Sequence, residues 1–90
     1  MKKISMAELE VLQVIWDKKE TTSIEIIEEL SHKNWNVNTT RTLIKRLLEK
    51  GVIEIVGKNG KEYTYKALIE ENEFVGMAFS YFLRKIARIY

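Results

Sequence analysis

The chain has 90 residues, of which 46% are hydrophobic and 31% are charged. These are the proportions of a globular protein, so a wholly disordered chain is excluded, and the length allows one domain or one domain with an appendage. The sequence has no cysteine and one histidine, which excludes disulfides and leaves a zinc site short of ligands. No apolar run approaches the roughly 20 residues of a membrane span, and the start does not resemble a signal peptide. We therefore expect a soluble, cytoplasmic protein that needs no metal or cofactor and no membrane.

Charge is distributed unevenly along the chain. The total net charge is only +2. Residues 1–32 carry a net charge of −3, residues 33–66 carry +5, and residues 67–90 are neutral. A basic central third is where an anionic partner would bind, although a solvated helix face gives the same count. Charge alone leaves both interpretations open.

Two capping boxes predict the first two helices. Ser5 followed by Glu8 opens a helix that continues to about residue 18. Thr22 followed by Glu25 opens a shorter helix that continues to about residue 30. The side chains of the second helix that we expect in the core are Ile24, Ile26, Ile27 and Leu30.

A third helix is predicted from about Val37 to Lys50, with Asn36 as its N-cap and Gly51 as its C-terminal stop. At about 100° per residue, its side chains divide into two faces. The face that we expect in the core holds Val37, Thr40, Leu43, Ile44, Leu47 and Leu48. The opposite face is polar and mainly basic, with Arg41 at its border, and holds Asn38, Thr39, Thr42, Lys45, Arg46 and Glu49.

A β-hairpin is predicted to follow this helix. Two alternating runs rich in β-branched and aromatic residues flank the dipeptide Asn59-Gly60. Asn-Gly between such runs indicates a two-residue turn, because both turn residues must accept a positive φ. Lys58 and Lys61 would then lie on either side of the hairpin tip.

Three short helices followed by a hairpin is the order of elements in a winged helix-turn-helix. The predicted fold is therefore mainly α with a small β-hairpin wing, followed by a C-terminal helix. In such folds the helix before the wing enters the major groove of DNA, and its N-terminal half reaches the base edges. The side-chain types suited to reading bases there are those of Asn38, Arg41 and Thr42. The residues that we expect on phosphates are Thr39, Lys45 and Arg46 in the helix and Lys58 and Lys61 in the wing.

The segment from about residue 70 to residue 90 is predicted to form a helix with a broad apolar face. On so small a domain this face would stay exposed in a monomer, and a symmetric dimer would cover it. The alternative is that the face folds back on the first helix of its own domain. We expect a winged-helix domain over residues 1–68 and at least part of a dimerisation region over residues 69–90. The residues expected in the dimer interface are Phe74, Ala78, Phe79, Phe82, Leu83, Ile86 and Ile89.

Four stretches in the same order give the chain a family resemblance. They are SMAELEVLQVIW, TSIEIIEEL, WNVNTTRTLIKRLLEKGVI and GKNGKEYTY, and the resemblance covers about residues 4–67 well. Together they resemble the BlaI/MecI/CopY penicillinase-repressor family of bacterial transcriptional repressors. The resemblance implies a homodimer that binds a palindromic operator, with recognition-helix roles at Thr39, Thr42 and Arg46. Asn38 and Arg41 match positions that vary within the family, which suits operator-specific readout.

The chain also departs from that family. Members usually run longer, so the resemblance implies either a shortened member or a piece of a longer protein. The chain lacks the C-terminal cysteine cluster by which copper-responsive relatives bind metal. The inducing signal therefore does not follow from the resemblance.

The function predicted from the sequence is a non-catalytic transcriptional repressor that binds double-stranded operator DNA as a homodimer. The alternative is a winged-helix interaction module whose C-terminal apolar helix binds a partner protein. An enzyme is the weakest hypothesis, because the single histidine, His32, has no nucleophile or acid arranged around it in the sequence.

Overall fold

The computed structural model of the chain describes residues 3–74. Its elements in chain order are α1 (Met6–Lys18), β1 (Glu20–Thr22), α2 (Ser23–Glu29), a 3-10 turn (Ser31–Lys33), α3 (Val37–Glu49), β2 (Ile53–Asn59) and β3 (Glu62–Ala67). Residues 71–74 are again helical. The three predicted helices and the hairpin are confirmed. Strand β1 was not predicted, because three residues are too few to show an alternating pattern.

Both predicted capping boxes form. At the start of α1, the Ser5 hydroxyl accepts a hydrogen bond from the Glu8 amide at 3.1 Å, and the Glu8 carboxylate accepts one from the Ser5 amide at 2.9 Å. Thr22 and Glu25 make the same exchange at the start of α2, with both distances 3.3 Å. These side chains satisfy amides that the first turn of a helix leaves without a partner, so α1 and α2 begin where the sequence predicted.

Helix α3 also has its predicted ends. The Asn36 side chain accepts a hydrogen bond from the backbone amide two residues on, at 2.6 Å. At the other end Gly51 has a φ of 74°, and its amide bonds to the carbonyl of Leu48 at 3.0 Å. The amide of Val52 bonds to the carbonyl of Leu47 at 3.2 Å. This pair of bonds is a Schellman motif, which requires the positive φ that glycine adopts without strain.

The hairpin turn lies one residue later than predicted. The sheet has the strand order β1-β3-β2, and all its pairs are antiparallel. Asn59 pairs with Glu62, so Asn59 belongs to β2 and the turn residues are Gly60 and Lys61. Of the turn residues, Gly60 has the positive φ, at 64°. The prediction of an Asn59-Gly60 turn is therefore wrong by one residue.

A bulge in β2 explains the shift. Ile55 pairs with Tyr65, but Gly57 pairs with Thr64, so the strand carries one extra residue between the two pairs. If the Ile55–Tyr65 register continued without the bulge, Asn59 would face Lys61 across a single-residue loop. The bulge changes the hairpin from an odd to an even loop length and permits a two-residue turn that starts at a glycine. A bulge leaves no clear signal in the sequence pattern.

The core lies between the three helices and the sheet. Its buried apolar residues are Val11, Leu12, Val14, Ile15, Trp16, Ile26, Leu30, Leu43, Ile44, Leu47, Val52, Ile53 and Tyr65. Two residues expected there are exposed instead: Ile24 is 46% accessible and Val37 is 49% accessible. Ile24 lies two positions before the buried Ile26, which is about 200° around the helix and so faces the other way. Val37 is the first residue of α3, one turn ahead of the first buried position at Thr40.

The chain beyond the sheet contacts α1. The indole nitrogen of Trp16 donates a hydrogen bond to the carbonyl of Ile69 at 2.8 Å. The rings of Trp16 and Phe74 are 5.7 Å apart between centroids and tilted by 48°. Phe74, which was predicted to lie in a dimer interface, therefore packs on α1 of its own chain, as the intrachain alternative predicts for this residue. The other predicted interface residues lie outside the described residues, and they are Ala78, Phe79, Phe82, Leu83, Ile86 and Ile89.

Candidate nucleic-acid interface

The buried side of α3 determines which residues it exposes. Thr40, Leu43, Ile44 and Leu47 are buried against the rest of the domain. An amphipathic helix held by one face must present the opposite face to solvent. Among its exposed side chains are Asn38, Thr39, Arg41, Thr42, Lys45 and Arg46, and we call these six the α3 surface. The structure thus brings together all six α3 residues that the sequence predicted for a DNA interface.

Polar side chains of the α3 surface border an open depression. A shallow hollow of about 320 Å³ is lined by Asn36, Asn38, Thr39, Thr42, Leu43 and Arg46. Asn36 was predicted only as an N-cap, and it reaches this hollow because the cap precedes the first turn of α3. Amide, hydroxyl and guanidinium groups together can donate and accept hydrogen bonds, as base edges and phosphates require.

One hydroxyl of the α3 surface is already used within the helix. Thr42 Oγ1 donates a hydrogen bond to the carbonyl of Asn38 at 2.8 Å. A threonine hydroxyl has one donor hydrogen, so that donor is occupied. What Thr42 can offer to a ligand is its methyl group and the lone pairs of its oxygen.

Arg41 lies at the edge of the α3 surface, where it meets α2 and the wing. Its Nη1 is 3.5 Å from the hydroxyl oxygen of Ser23, at the start of α2. The Ser23 hydroxyl donates a hydrogen bond to Oε1 of Glu62 at 2.7 Å. The amide of Ile24 donates to the same oxygen at 3.3 Å. Sequence reasoning missed Ser23 and Glu62. Ser23 is 18 residues from Arg41 and 39 residues from Glu62 in the sequence, so no local pattern links the three residues.

Tyr65 lies close to the same group of charges. This tyrosine is buried in the core, and burial raises the pKa of its phenol. The negative charge of Glu62 raises this pKa further, while the positive charge of Arg41 lowers it. The carboxylate of Glu62 and the guanidinium of Arg41 therefore both act on one buried ring.

The wing carries the two predicted lysines at its end. Lys58 and Lys61 are both exposed, and Lys61 is the second residue of the turn. Lys58 Nζ is 5.3 Å from the centroid of the Tyr63 ring, within the range of a cation–π interaction. This contact favours a position of Lys58 over the ring.

Two basic residues of the central third do not contribute to this surface. Lys50 Nζ is 2.6 Å from Oε1 of Glu8, and it also donates to the carbonyl of Lys3 at 2.7 Å. Lys33 Nζ is 3.1 Å from Oε1 of Glu10. Two of the basic residues that give residues 33–66 their net charge of +5 are therefore paired with acidic residues of α1.

The buried Glu8 remains charged because of Lys50. The residue is 2% accessible, and this burial tends to raise the pKa of its carboxyl group. Hydrogen bonds from Lys50 and Ser5 oppose burial and leave the pKa below its usual value of 4.5. Within residues 3–74, the second carboxylate oxygen, Oε2, has no hydrogen-bond partner.

Among residues 3–74, no three His, Asp or Glu side chains are grouped so that they could hold a metal ion. None of the helices in this part combines the length and the apolar character needed to cross a membrane.

These elements define the class of protein. Helices α2 and α3 form a helix-turn-helix, and the β2–β3 hairpin follows α3 as a wing, with β1 as a third strand. This arrangement is a winged helix-turn-helix domain, as the sequence predicted.

Comparison with known proteins identifies the family. The penicillinase repressor family model matches residues 4–89. The methicillin resistance regulatory protein MecI of Staphylococcus aureus is 40% identical over 84 residues, which are 92% of this chain and 68% of MecI. The penicillinase repressor of Bacillus licheniformis is 36% identical over 83 residues, 91% of this chain and 64% of the repressor. The chain belongs to the penicillinase repressor family, and the family resemblance of the sequence is confirmed.

Solved structures agree with this assignment. The solution structure of the DNA-binding domain of the repressor BlaI matches with a TM-score of 0.70 and 39% identity, over 81% of this chain and 93% of that domain. The monomeric form of Bacillus licheniformis BlaI in complex with the blaP half-operator matches with a TM-score of 0.66 and 37% identity, over 80% of this chain and 88% of that protein. The structural matches and the sequence matches therefore indicate the same family.

Proposed function

We propose that this chain is a sequence-specific DNA-binding transcriptional repressor that binds a palindromic operator as a homodimer. The observation that carries the proposal is the α3 surface, which is polar and basic, exposed, and presented by a helix whose other face is buried. A relative with the same fold, BlaI, has been solved in complex with a half-operator. That relative supports the use of this fold on DNA.

Asn38, Arg41 and Thr42 are the proposed base-reading residues. They lie in the first half of α3, which is the part of a recognition helix that reaches base edges. An Asn side chain can bond adenine with both of its polar groups, and Arg can do so with guanine. Since the Thr42 hydroxyl hydrogen is used within the helix, we assign its methyl group to contact with a thymine methyl.

The remaining predicted residues are proposed to bind the DNA backbone. They are Thr39, Lys45, Arg46, Lys58 and Lys61. Lys45 and Arg46 follow the base-reading residues by one helical turn, and the two lysines extend the basic surface to the wing. Such contacts supply affinity and hold the protein in register, but they carry no sequence information.

The proposed assembly joins two winged-helix domains. Residues 1–68 would bind one half-site, and residues 69–90 would contribute to the contact between two copies. Two recognition helices related by a two-fold axis can then address two half-sites of a palindrome. Repression would follow because the bound dimer blocks RNA polymerase at the promoter. This role involves no catalytic step, and its place is the cytoplasm, where bacterial DNA is found.

Selection of duplexes from a random DNA pool, followed by a salt titration, tests the proposal. The chain should enrich a palindromic site, and its affinity should fall by about 10³-fold or more between 50 mM and 200 mM salt if six or more phosphates are contacted. Arg46→Gln should weaken binding, while Lys18→Gln on α1 serves as the matched loss of one exposed cation. If no duplex is bound even at low salt, the proposal fails, and a protein partner for the C-terminal segment becomes the better hypothesis.

A further inference from the structure

One wing carboxylate organises the contact between three elements. Oε1 of Glu62 accepts a hydrogen bond from the Ser23 hydroxyl at 2.7 Å and one from the Ile24 amide at 3.3 Å. Ser23 is 5% accessible, so its side chain has little freedom to leave this position. Because its single hydrogen points to Glu62, the lone pairs of the Ser23 oxygen remain for a donor on another element.

That donor belongs to Arg41. Its Nη1 is 3.5 Å from the Ser23 oxygen, which is a long hydrogen bond. The contact uses one of the five N–H donors of a guanidinium and leaves the other donors for a ligand. An exposed arginine loses considerable rotamer entropy when it is fixed on a base, and a side chain already oriented in the free protein loses less.

We infer that Glu62 and Ser23 are positioning residues that orient Arg41 toward a base edge, and so determine how strictly one base pair of each half-site is read. This inference rests on the proposed DNA-binding function. The order of action is from the wing to α2 to α3: Glu62 holds the Ser23 hydroxyl, and the Ser23 oxygen holds Nη1 of Arg41. The wing thereby contributes to base readout without a base contact of its own.

The charge of Glu62 contributes to the same result. The Glu62 carboxylate is linked to the Arg41 guanidinium through the Ser23 hydroxyl. Its negative charge repels DNA phosphates, so it disfavours a pose in which Arg41 binds the backbone instead of a base. Loss of this charge should therefore strengthen binding to unrelated duplexes while weakening the preference for the cognate site. A residue that served only to maintain the fold would lower both affinities together.

The experiment compares Glu62→Gln and Ser23→Ala in the wild-type and Arg41→Ala backgrounds. The probes are the duplex selected by the wild-type chain from a random pool, the same duplex with each base pair of the half-site substituted, and a scrambled duplex. At the base pair whose readout Arg41→Ala relaxes, each variant should reduce discrimination by about three- to tenfold, which lies within the range of coupling between neighbouring residues. Neither should reduce it further in the Arg41→Ala background. Glu62→Gln should also leave binding to the scrambled duplex unchanged or tighter.

Glu54→Gln is the matched control, because it removes an exposed carboxylate from the neighbouring strand β2. It should leave discrimination unchanged, and far-UV circular dichroism should show that every variant is folded. Equal losses with and without Arg41, or equal weakening on all duplexes, would overturn the positioning role alone. If the wild-type chain shows no sequence preference, the proposed function itself is wrong, so the two failures are distinguishable.

Discussion

The ammonium group of Lys50 lies 2.6 Å from a carboxylate oxygen of Glu8, and this ion pair joins the end of α3 to the first turn of α1. The Glu8 side chain is 3% accessible and that of Lys50 is 23% accessible. A buried pair of this kind holds two helices at one rotation relative to each other. It therefore reinforces the orientation of α3 that burial of Leu43, Ile44 and Leu47 sets, although neither residue belongs to the α3 surface.

We expect Lys50→Met to lower the free energy of unfolding by about 1–3 kcal/mol at pH 7, because it leaves a buried carboxylate without its partner. The folded pKa of Glu8 lies below its usual value of 4.5. Its stabilising contribution is therefore present above about pH 4.5 and is lost as the pH falls through the folded pKa. Urea denaturation at pH 7 and pH 3 should show a large difference between variant and wild type at pH 7 and a smaller one at pH 3.

Lys45→Met is the control for that measurement, since it removes an exposed lysine from the same helix. It should change stability by less than about 0.5 kcal/mol at either pH. An equal effect of Lys50→Met at both pH values would show that the ion pair contributes no pH-dependent stability.

Gly60→Ala should destabilise the wing by about 1 kcal/mol, because Gly60 has a φ of 64° and a side chain is strained in that region. A Cβ at this position would have no neighbour within 4 Å among the described residues, so the cost is conformational and not steric. Asn59→Ala should cost less, since Asn59 lies in β2. Thermal unfolding of the two variants compares the observed turn with the turn predicted from the sequence. A larger loss for Asn59→Ala would favour the predicted turn.

Trp16→Phe should lower the free energy of unfolding by about 1–2 kcal/mol. It removes the hydrogen bond from the indole nitrogen to the Ile69 carbonyl and reduces the contact with Phe74. Trp35→Phe, at a half-buried position, is the matched control and should cost less. Urea denaturation followed by fluorescence of the remaining tryptophan measures both. Equal losses would mean that the Trp16 hydrogen bond adds nothing to packing.

Arg41→Ala and Asn38→Ala should each relax discrimination at one base pair per half-site by about 1–3 kcal/mol. Lys58→Ala and Lys61→Ala should instead weaken all duplexes to a similar extent and reduce the salt dependence, because phosphate contacts do not read sequence. Affinities for a selected duplex and its single-base variants provide the measurement. If Arg41→Ala weakens selected and random duplexes equally, Arg41 is a backbone contact.

Phe82→Glu and Ile86→Glu should convert a dimer to monomers, since a charge on the apolar face of the predicted C-terminal helix would have to be buried in the interface. At about 100° per residue, Ser80 lies on the side of the predicted helix away from Phe82 and Ile86, so Ser80→Glu should leave the dimer intact. Sedimentation velocity of the three variants and the wild type measures the effect. A monomeric wild type at micromolar concentration would contradict dimerisation through this segment.

The sequence by itself determined the local features of this protein. The capping pairs Ser5–Glu8 and Thr22–Glu25 and the stop at Gly51 were predicted correctly, because each depends on residues within a few positions of one another. The polar face of α3 was predicted because helical periodicity follows directly from residue spacing. The family could be recognised for the same reason, since its motifs are short and occur in order along the chain.

Only the tertiary structure decided the features that join distant residues. Glu62, Ser23 and Arg41 meet through three different elements, and Lys50 reaches Glu8 across 42 positions. Ile24 and Val37 are apolar yet exposed, because no neighbouring element covers them, and the turn at Gly60-Lys61 depended on the bulge between Ile55 and Gly57 in β2. Periodicity specifies a direction around a helix or strand, but packing of separate elements specifies which side chains are covered and which become partners.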